Sequence, residues 1–313
     1  MKAAVVERYG PPEVVSVVEC PAPVAGKGRV VVRVHATTLN SGDARIRGCR
    51  FPRGFAVPGR LALGFRGPRQ GVLGVVYSGV VEAVGPGVTG FAVGDEVCGM
   101  NGARMGAHAE LVAVRADRMT IKPAGVDHEQ AAAILFGGST ARHFLRDLVG
   151  PGKRVLVNGA SGAVGSAAVQ FAHLAGAHVT GVCSDRNADL VRSLGAEGVV
   201  DHGRHRVAEL TERYDVVLDT VGNLDRRSGR RLLAPDGVLV LLLAGLADTL
   251  MPRRNVRAGV SSEDPESFAW WLERIAAGEL RAVVDRTLPL SDVVEAHRVV
   301  DSGRKVGNLV LVP

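Results

Sequence analysis

The stretch Arg154–Val182, RVLVNGASGAVGSAAVQFAHLAGAHVTGV, restricts the fold more than any other part of the chain. Arg154–Val157 is a short apolar run suited to a buried parallel strand. Gly159-Ala160-Ser161-Gly162-Ala163-Val164-Gly165 comes next, then an Ala-rich run ending near Gly176, then a second strand-like run, His178–Val182. Strand, glycine turn, helix and strand within about 30 residues form the βαβ unit that holds a dinucleotide. Gly162 lets the backbone approach a pyrophosphate, and Gly165 lets the helix pack closely on the sheet. The helix N-terminus then presents unpaired N–H groups and a partial positive charge to the phosphates.

At 313 residues the chain has room for two domains with substantial cores. Its longest apolar run, Val238–Ala244, falls far short of the roughly 20 residues that span a bilayer. The opening MKAAVVERYG lacks a signal-peptide pattern, because Glu7 interrupts a short apolar patch. Cys20, Cys49, Cys98 and Cys183 are scattered without a CxxC pair, which supports neither a disulfide framework nor a zinc knuckle. The cytoplasm is therefore the expected location, with no membrane partner. A net charge of +6 suits nucleic acid or phosphorylated ligands, but no basic block stands out and a solvated surface accounts for it. A nucleic-acid partner is not expected.

Residues 1–122 read as short β segments with turn signals: Val14–Val18, Arg29–His35, Gly79–Val84, Glu96–Cys98 and Ala109–Val114. At Asp127 the pattern changes. Asp127 with Gln130 resembles a capping box opening a helix, Gly137-Gly138 interrupts it, and Ser139-Thr140 starts a second helix through Leu148. Strands at Gly198–Asp201, Asp215–Asp219 and Gly237–Leu243 follow the βαβ core, implying a doubly wound parallel sheet. Asp264-Pro265 caps a helix carrying Trp270, Trp271 and Ile275, of which at most one tryptophan faces the core. Ser291 caps another helix, flanked by strands Arg281–Asp285 and Val306–Leu311 that fold back onto the N-terminal β domain. The class is α/β, with domains at 1–122 plus 256–313 and at 123–255.

The landmarks TTLNSGDARIRG (37–48), SGVVEAVGPGVTGFAVGDEVCG (78–99), FGGSTARHFL (136–145), NGASGAVG (158–165), YDVVLDTVG (214–222) and GRKVGNLVL (303–311) run end to end. Together they resemble the medium-chain dehydrogenase/reductase superfamily, in its zinc-free, quinone oxidoreductase-like branch. The resemblance implies a GroES-like catalytic domain, a Rossmann domain and an active site in the cleft between them. Zinc-dependent members place a Cys where Asn40 stands, a His-Glu pair near Val75-Val76, and a Cys or Asp near Gly137. None of these side chains can ligate zinc, and the four-cysteine structural lobe is missing. No metal is expected.

The resemblance also distributes roles. Gly159, Ala160, Ser161, Gly162, Ala163 and Val164 cradle the diphosphate. NAD-specific relatives put an acid at the end of the second strand, where this chain has Cys183. Ser184 and Arg186 follow, a hydroxyl and a guanidinium suited to a 2′-phosphate, so NADPH is expected over NADH. Asp185 argues the other way, as a ligand for the ribose hydroxyls or a cap for the next helix. His202 stands where relatives often have a Tyr near the adenosine phosphate, or is an exposed loop residue. Asn40, Asp43 and Thr140 match positions near the nicotinamide. Asn40 and Thr140 would hydrogen-bond the carboxamide or the substrate oxygen. Asp43 either orients neighbours or closes a turn. Tyr77 either polarises a carbonyl or donates a proton from the cleft, or is a core aromatic. Val221 is a further cofactor-binding position, and the backbone of Ala244-Gly245-Leu246 lines the nicotinamide pocket. In relatives a Lys or Arg often stands near Asn308 and can contact a phosphate; here Asn308 is the candidate cofactor contact and Lys305 the nearest cation.

Between Ala44 and Val81 lie Arg45, Arg47, Arg50, Arg53, Arg60, Arg66 and Arg69 with no acid, and also Phe51, Phe55 and Phe65. This stretch either forms a basic, partly apolar mouth for an acidic substrate, or its arginines pair with acids elsewhere or stay solvated. The activity implied is NADPH-dependent hydride transfer to a quinone or an α,β-unsaturated carbonyl. One alternative is an enoyl reductase acting on an acyl thioester. Another is an NADPH-binding protein that binds RNA or serves structurally without turnover. Relatives are commonly dimers or tetramers, so a homo-oligomer is expected, and Val238–Ala244 reads as an interior strand or a dimer-forming edge.

Overall fold

A computed structural model of the chain describes residues 1–250 and 255–313. Strands β1 (Lys2–Val6) and β2 (Val15–Glu19) form an antiparallel hairpin. β3 (Arg29–Leu39) alternates buried Val32, Val34 and Ala36 with exposed Arg33 and His35, the two-residue period of a half-buried strand. Helices α1 (Ser41–Arg47) and α2 (Ala56–Leu63) follow, then β4 (Val76–Val84), β5 (Glu96–Met100), β6 (Leu111–Arg115) and β7 (Met119–Ile121). Helix α3 spans His128–Leu145.

α3 opens as the sequence suggests: Asp127 Oδ1 accepts from the Gln130 N–H at 2.6 Å, and the Gln130 amide oxygen reciprocates at 3.4 Å. It is one continuous helix, however, and Gly137-Gly138 does not break it. The physical reason lies outside the helix. A Cβ on Gly137 would stand 2.3 Å from the carbonyl oxygen of Ala163, so the glycine serves a close backbone approach.

The second sheet is built from β8 (Arg154–Asn158), α4 (Ala163–Leu174), β9 (His178–Cys183), α5 (Ala188–Ser193), β10 (Gly198–Asp201), β11 (Tyr214–Asp219), α6 (Arg226–Arg230), β12 (Leu233–Leu241), α7 (Leu246–Leu250) and β13 (Val256–Ala258). Its order is β10-β9-β8-β11-β12-β13, and every pairing is parallel. Counted from β8 this is 3-2-1-4-5-6, the doubly wound dinucleotide-binding order. Leu156, Val217, Leu239 and Leu241 pack a core under it. β12 lies between β11 and β13, which makes Val238–Leu241 interior and not a free edge.

The chain closes with α8 (Pro265–Ala276), β14 (Val284–Pro289), α9 (Val293–Asp301) and β15 (Asn308–Val312). Asp264 caps α8 through the Glu266 N–H at 3.1 Å. Trp271 is fully buried, while Trp270 is half-exposed under the Arg274 guanidinium. β15 pairs antiparallel with β3, which returns the C-terminus to the first sheet, in the order β14-β15-β3-β4-β5-β7 with β6 also on β3.

Residues 1–51, 56–136 and 263–313 form one compact unit, and 52–55 with 137–262 the other. These limits differ from the sequence-based boundaries at 122 and 255. Residues 123–136 go with the first unit, where Gln130 and Asp127 start α3. Residues 256–262 go with the second, because β13 is a strand of the parallel sheet.

Candidate dinucleotide site

The turn after β8 is shaped by what its glycines exclude. Gly159 adopts φ +84°, and a Cβ there would lie 2.4 Å from Thr220 Oγ1. A Cβ on Gly165 would lie 2.0 Å from the Gly159 carbonyl oxygen. Gly162 differs: its Cβ would meet only the Gly159 oxygen, at 3.4 Å, so the backbone there faces open space. Gly162 is also the N-cap of α4 and provides no capping side chain. The N–H groups of Ala163, Val164 and Gly165 therefore have no partner within the helix, which is the electrostatic setting for an anion.

The turn is held from both sides. Gly159 and Ala160 donate to the Val182 carbonyl at 3.0 and 2.9 Å, and the Asn187 amide reaches Ser161 Oγ at 3.1 Å. On the other side, Thr220 Oγ1 donates to the Asn158 carbonyl at 2.7 Å, and Asn158 Nδ2 donates to Asp219 Oδ1 at 2.8 Å. The buried Asp219 carboxylate accepts from the N–H groups of Val221, Gly222 and Leu224. Asn158 and Asp219 end the two central strands, where the strand order reverses and such sheets bind ligands. Both lie within the NGASGAVG and YDVVLDTVG segments, where sequence alone assigns them no role. The available signal was a polar residue closing an otherwise apolar strand.

At the end of β9 the parallel register sets Cys183 against Asp201, and the His202 N–H donates to the Cys183 carbonyl at 3.0 Å. This brings His202 to the strand end that carries Ser184 and Arg186. Ser184 is half-buried, whereas Asp185, Arg186 and His202 are exposed. Burial, reinforced by Asp201, pushes the Cys183 thiol up to about 11, so it stays neutral. Asp201 is occupied locally: it accepts the Gly203 N–H at 2.9 Å and lies 3.6 Å from Arg204.

Further along this unit, exposed Val221 borders Gly159, and Ala244 is buried. Leu246 donates its N–H to the Arg53 carbonyl at 2.9 Å, which ties residues 52–55 to the Ala244-Gly245-Leu246 segment. Thr140 is buried on α3 with its hydroxyl 3.3 Å from Ser261 Oγ.

In the first unit, Asn40 is buried and donates from Nδ2 to Thr38 Oγ1 at 2.9 Å. Asp43 takes the turn-closing role. Its Oδ2 accepts the Asn40 N–H at 2.8 Å and its Oδ1 the Gly74 N–H at 3.1 Å, so the carboxylate is spent on backbone. Tyr77 is a core aromatic: it is fully buried among Val30, Val32, Val97 and Met119, and burial holds its hydroxyl well above the usual phenol range. A phenol so enclosed does not face a cleft, and this corrects the catalytic expectation. Asn308 is also buried, with Nδ2 donating to the Val283 carbonyl at 3.0 Å, which makes it a β14–β15 linker instead of a phosphate contact. Half-buried Lys305, whose ammonium bonds to the Gly307 carbonyl, is pushed down to about 8 by burial. Of the arginine-rich stretch, buried Arg47 and exposed Arg50 both pair with Asp301, and Arg60 lies over the Tyr9 ring. Arg66 and Arg69 are exposed.

Zinc fits poorly. Asn40 offers a carboxamide engaged with Thr38, Val75 and Val76 offer alkyl groups, and Gly137 has no room for a side chain. Zinc needs thiolate, imidazole or carboxylate, and these positions supply none.

Comparison with known proteins agrees with both units. Residues 26–124 match the alcohol dehydrogenase GroES-like domain family, and residues 194–311 match the zinc-binding dehydrogenase family. A quinone oxidoreductase of Pseudomonas aeruginosa is 31% identical over 97% of each chain. The mitochondrial NAD(P)H oxidoreductase RTN4IP1 of Mus musculus is 31% identical over 99% of this chain and 89% of its own. The solved quinone oxidoreductase of Coxiella burnetii superposes with a TM-score of 0.89 at 27% identity, covering 100% of this chain and 99% of that one. The chain belongs to the medium-chain dehydrogenase/reductase superfamily, in its quinone oxidoreductase-like branch, among NAD(P)H-dependent oxidoreductases.

Proposed function

We propose that this protein reduces a quinone or an α,β-unsaturated carbonyl with NADPH and uses no zinc. The observation that carries the reading is the turn at Gly159–Gly165: crowded where the helix meets the sheet, and open in front of Gly162. Bound NADPH would supply the hydride. The N–H groups of Ala163, Val164 and Gly165 receive the diphosphate, while Ser184, Arg186 and His202 meet the 2′-phosphate. Val221 and the backbone of Ala244, Gly245 and Leu246 line the nicotinamide end. Thr140 and Asn40 hydrogen-bond the carboxamide or the substrate oxygen, where a fixed donor stabilises charge that develops on oxygen. Asp43 acts as a positioning residue through the Asn40 and Gly74 backbone.

The proposal includes a homodimer or homotetramer in the cytoplasm. No helix of the described residues is long and apolar enough to cross a membrane. An acyl-thioester enoyl substrate is a second reading, supported by exposed Val57, Leu61 and Phe65 in the same stretch as Arg66 and Arg69.

The test is a panel of quinones, enones and enoyl thioesters assayed with NADPH and NADH side by side. NADPH is expected to win, and Arg186→Glu to raise its KM by about tenfold while leaving KM for NADH nearly unchanged. Equal or better turnover with NADH would overturn the assignment of Ser184 and Arg186. Activity lost on chelation and restored by zinc would overturn the metal-free reading.

A further inference from the structure

We propose that the first unit carries an anion site that takes a di- or triphosphate group, formed by Lys27, Arg29 and Arg104. The proposal does not rest on the dinucleotide site. β3 and β6 pair in a register that sets Arg29 directly opposite Arg115. Like charges facing each other across an antiparallel pair destabilise it, so the arrangement calls for a counter-charge. Asp117 supplies one for Arg115, accepting from both Nε and Nη2. No carboxylate pairs with Lys27, Arg29 or Arg104 among the described residues.

These cations wall a cavity of about 560 Å³ together with Gly28, Gly87, Val88, Thr89, Ala116 and the Arg115–Asp117 pair, whose carboxylate is taken up by the Arg115 guanidinium. Arg29 spends one nitrogen on the Ala113 carbonyl at 3.3 Å. Burial, followed by the charges of Arg104 and Arg115, makes its protonated form less favourable than in water. The backbone around the cavity is fixed: Gly28 donates to Pro86 at 2.9 Å, Gly85 to Arg29 at 2.9 Å, and Ala116 to Gly28 at 3.2 Å. Gly28 and Gly87 have φ of +69° and +78°, and a Cβ on either would meet nothing within 4 Å, so the space above them is open.

The chemistry selects phosphate. Two guanidinium forks and an ammonium match the oxygens of a multiply charged anion, and a single carboxylate would leave most of the cations unmatched. The lining contains no aromatic ring, the usual platform for unpaired bases. That favours a small oligophosphate over single-stranded RNA.

The test is calorimetric titration of the full chain with tripolyphosphate in phosphate-free buffer, at low and at physiological salt. One molecule per chain should bind, more weakly as salt rises. R29Q/R104Q should lose affinity by about tenfold or more. K27Q/R104Q changes two exposed side chains only, so it reads the same loss if the first variant folds poorly. NADPH affinity should be unchanged in both. Binding within about twofold of wild type in K27Q/R104Q, or no saturable binding below roughly 1 mM, would overturn the proposal. So would loss of NADPH binding in the same variants. Retention of an RNA oligonucleotide through these residues, without tripolyphosphate binding, would overturn the small-ligand assignment.

Discussion

His297, on α9, is fully buried and neither ring nitrogen has a hydrogen-bond partner. Burial, then the nearby His108, Arg47 and Arg50, pushes its pKa down from 6.5 to about 2. The unfolded chain thus takes the proton first as pH falls. The stability that depends on a neutral His297 is complete above 6.5 and is lost progressively from there towards about 2. At pH 5 the loss amounts to about 2 kcal/mol. His297→Leu keeps the volume and removes the titration. In urea melts the variant should gain about 2 kcal/mol over wild type between pH 8 and pH 5, and a constant gap would contradict the assignment. His297 is not legible in the sequence, because a histidine among valines looks the same whether it faces solvent or core. Tyr77 and Asp43 show the same limit: one residue type served both readings, and the choice depended on which neighbours closed around it.

The contact between α3 and α4 shows how one element positions another. Gly137→Ala would add about 1 kcal/mol of helix propensity in an isolated helix. Here its methyl meets the Ala163 carbonyl oxygen at 2.3 Å, at the first residue of α4. Net destabilisation of roughly 1–3 kcal/mol is expected, with weaker NADPH binding because the amide donors shift. The turn glycines separate fold from function. Gly165→Ala should lower the melting temperature and abolish coenzyme binding, since its Cβ would stand 2.0 Å from the Gly159 oxygen. Gly162→Ala, with φ −82° and only a 3.4 Å contact, should leave the apo protein's melting temperature nearly unchanged while weakening NADPH. Equal loss of stability in the two variants would show that the space before Gly162 is not reserved for a ligand. The capping of α3 and α8 was legible because a cap is local chemistry. The continuity of α3 through Gly137 was not, since its cause is a carbonyl on another helix.

Over the whole molecule the parallel sheet and the antiparallel sheet are separately cored units, so the coenzyme should stabilise them unequally. At about 100 times its Kd, a ligand that binds only the folded form adds about 2.7 kcal/mol. NADPH should therefore slow amide exchange most at residues 158–165 and 182–187, and much less on β1 and β2. Uniform protection, or none in the second unit, would count against the site. The order of elements, the dinucleotide turn and the zinc-poor positions could be read from the chain, because they follow from steric size, donor chemistry and periodicity within short windows. Other features needed the folded chain: the enclosure of Tyr77, the Gly74 amide on Asp43, the Asn158–Asp219 bond and the opposition of Arg29 and Arg115. Each depends on the register between segments far apart in sequence, which is set by how cores pack and not by any residue's own preference.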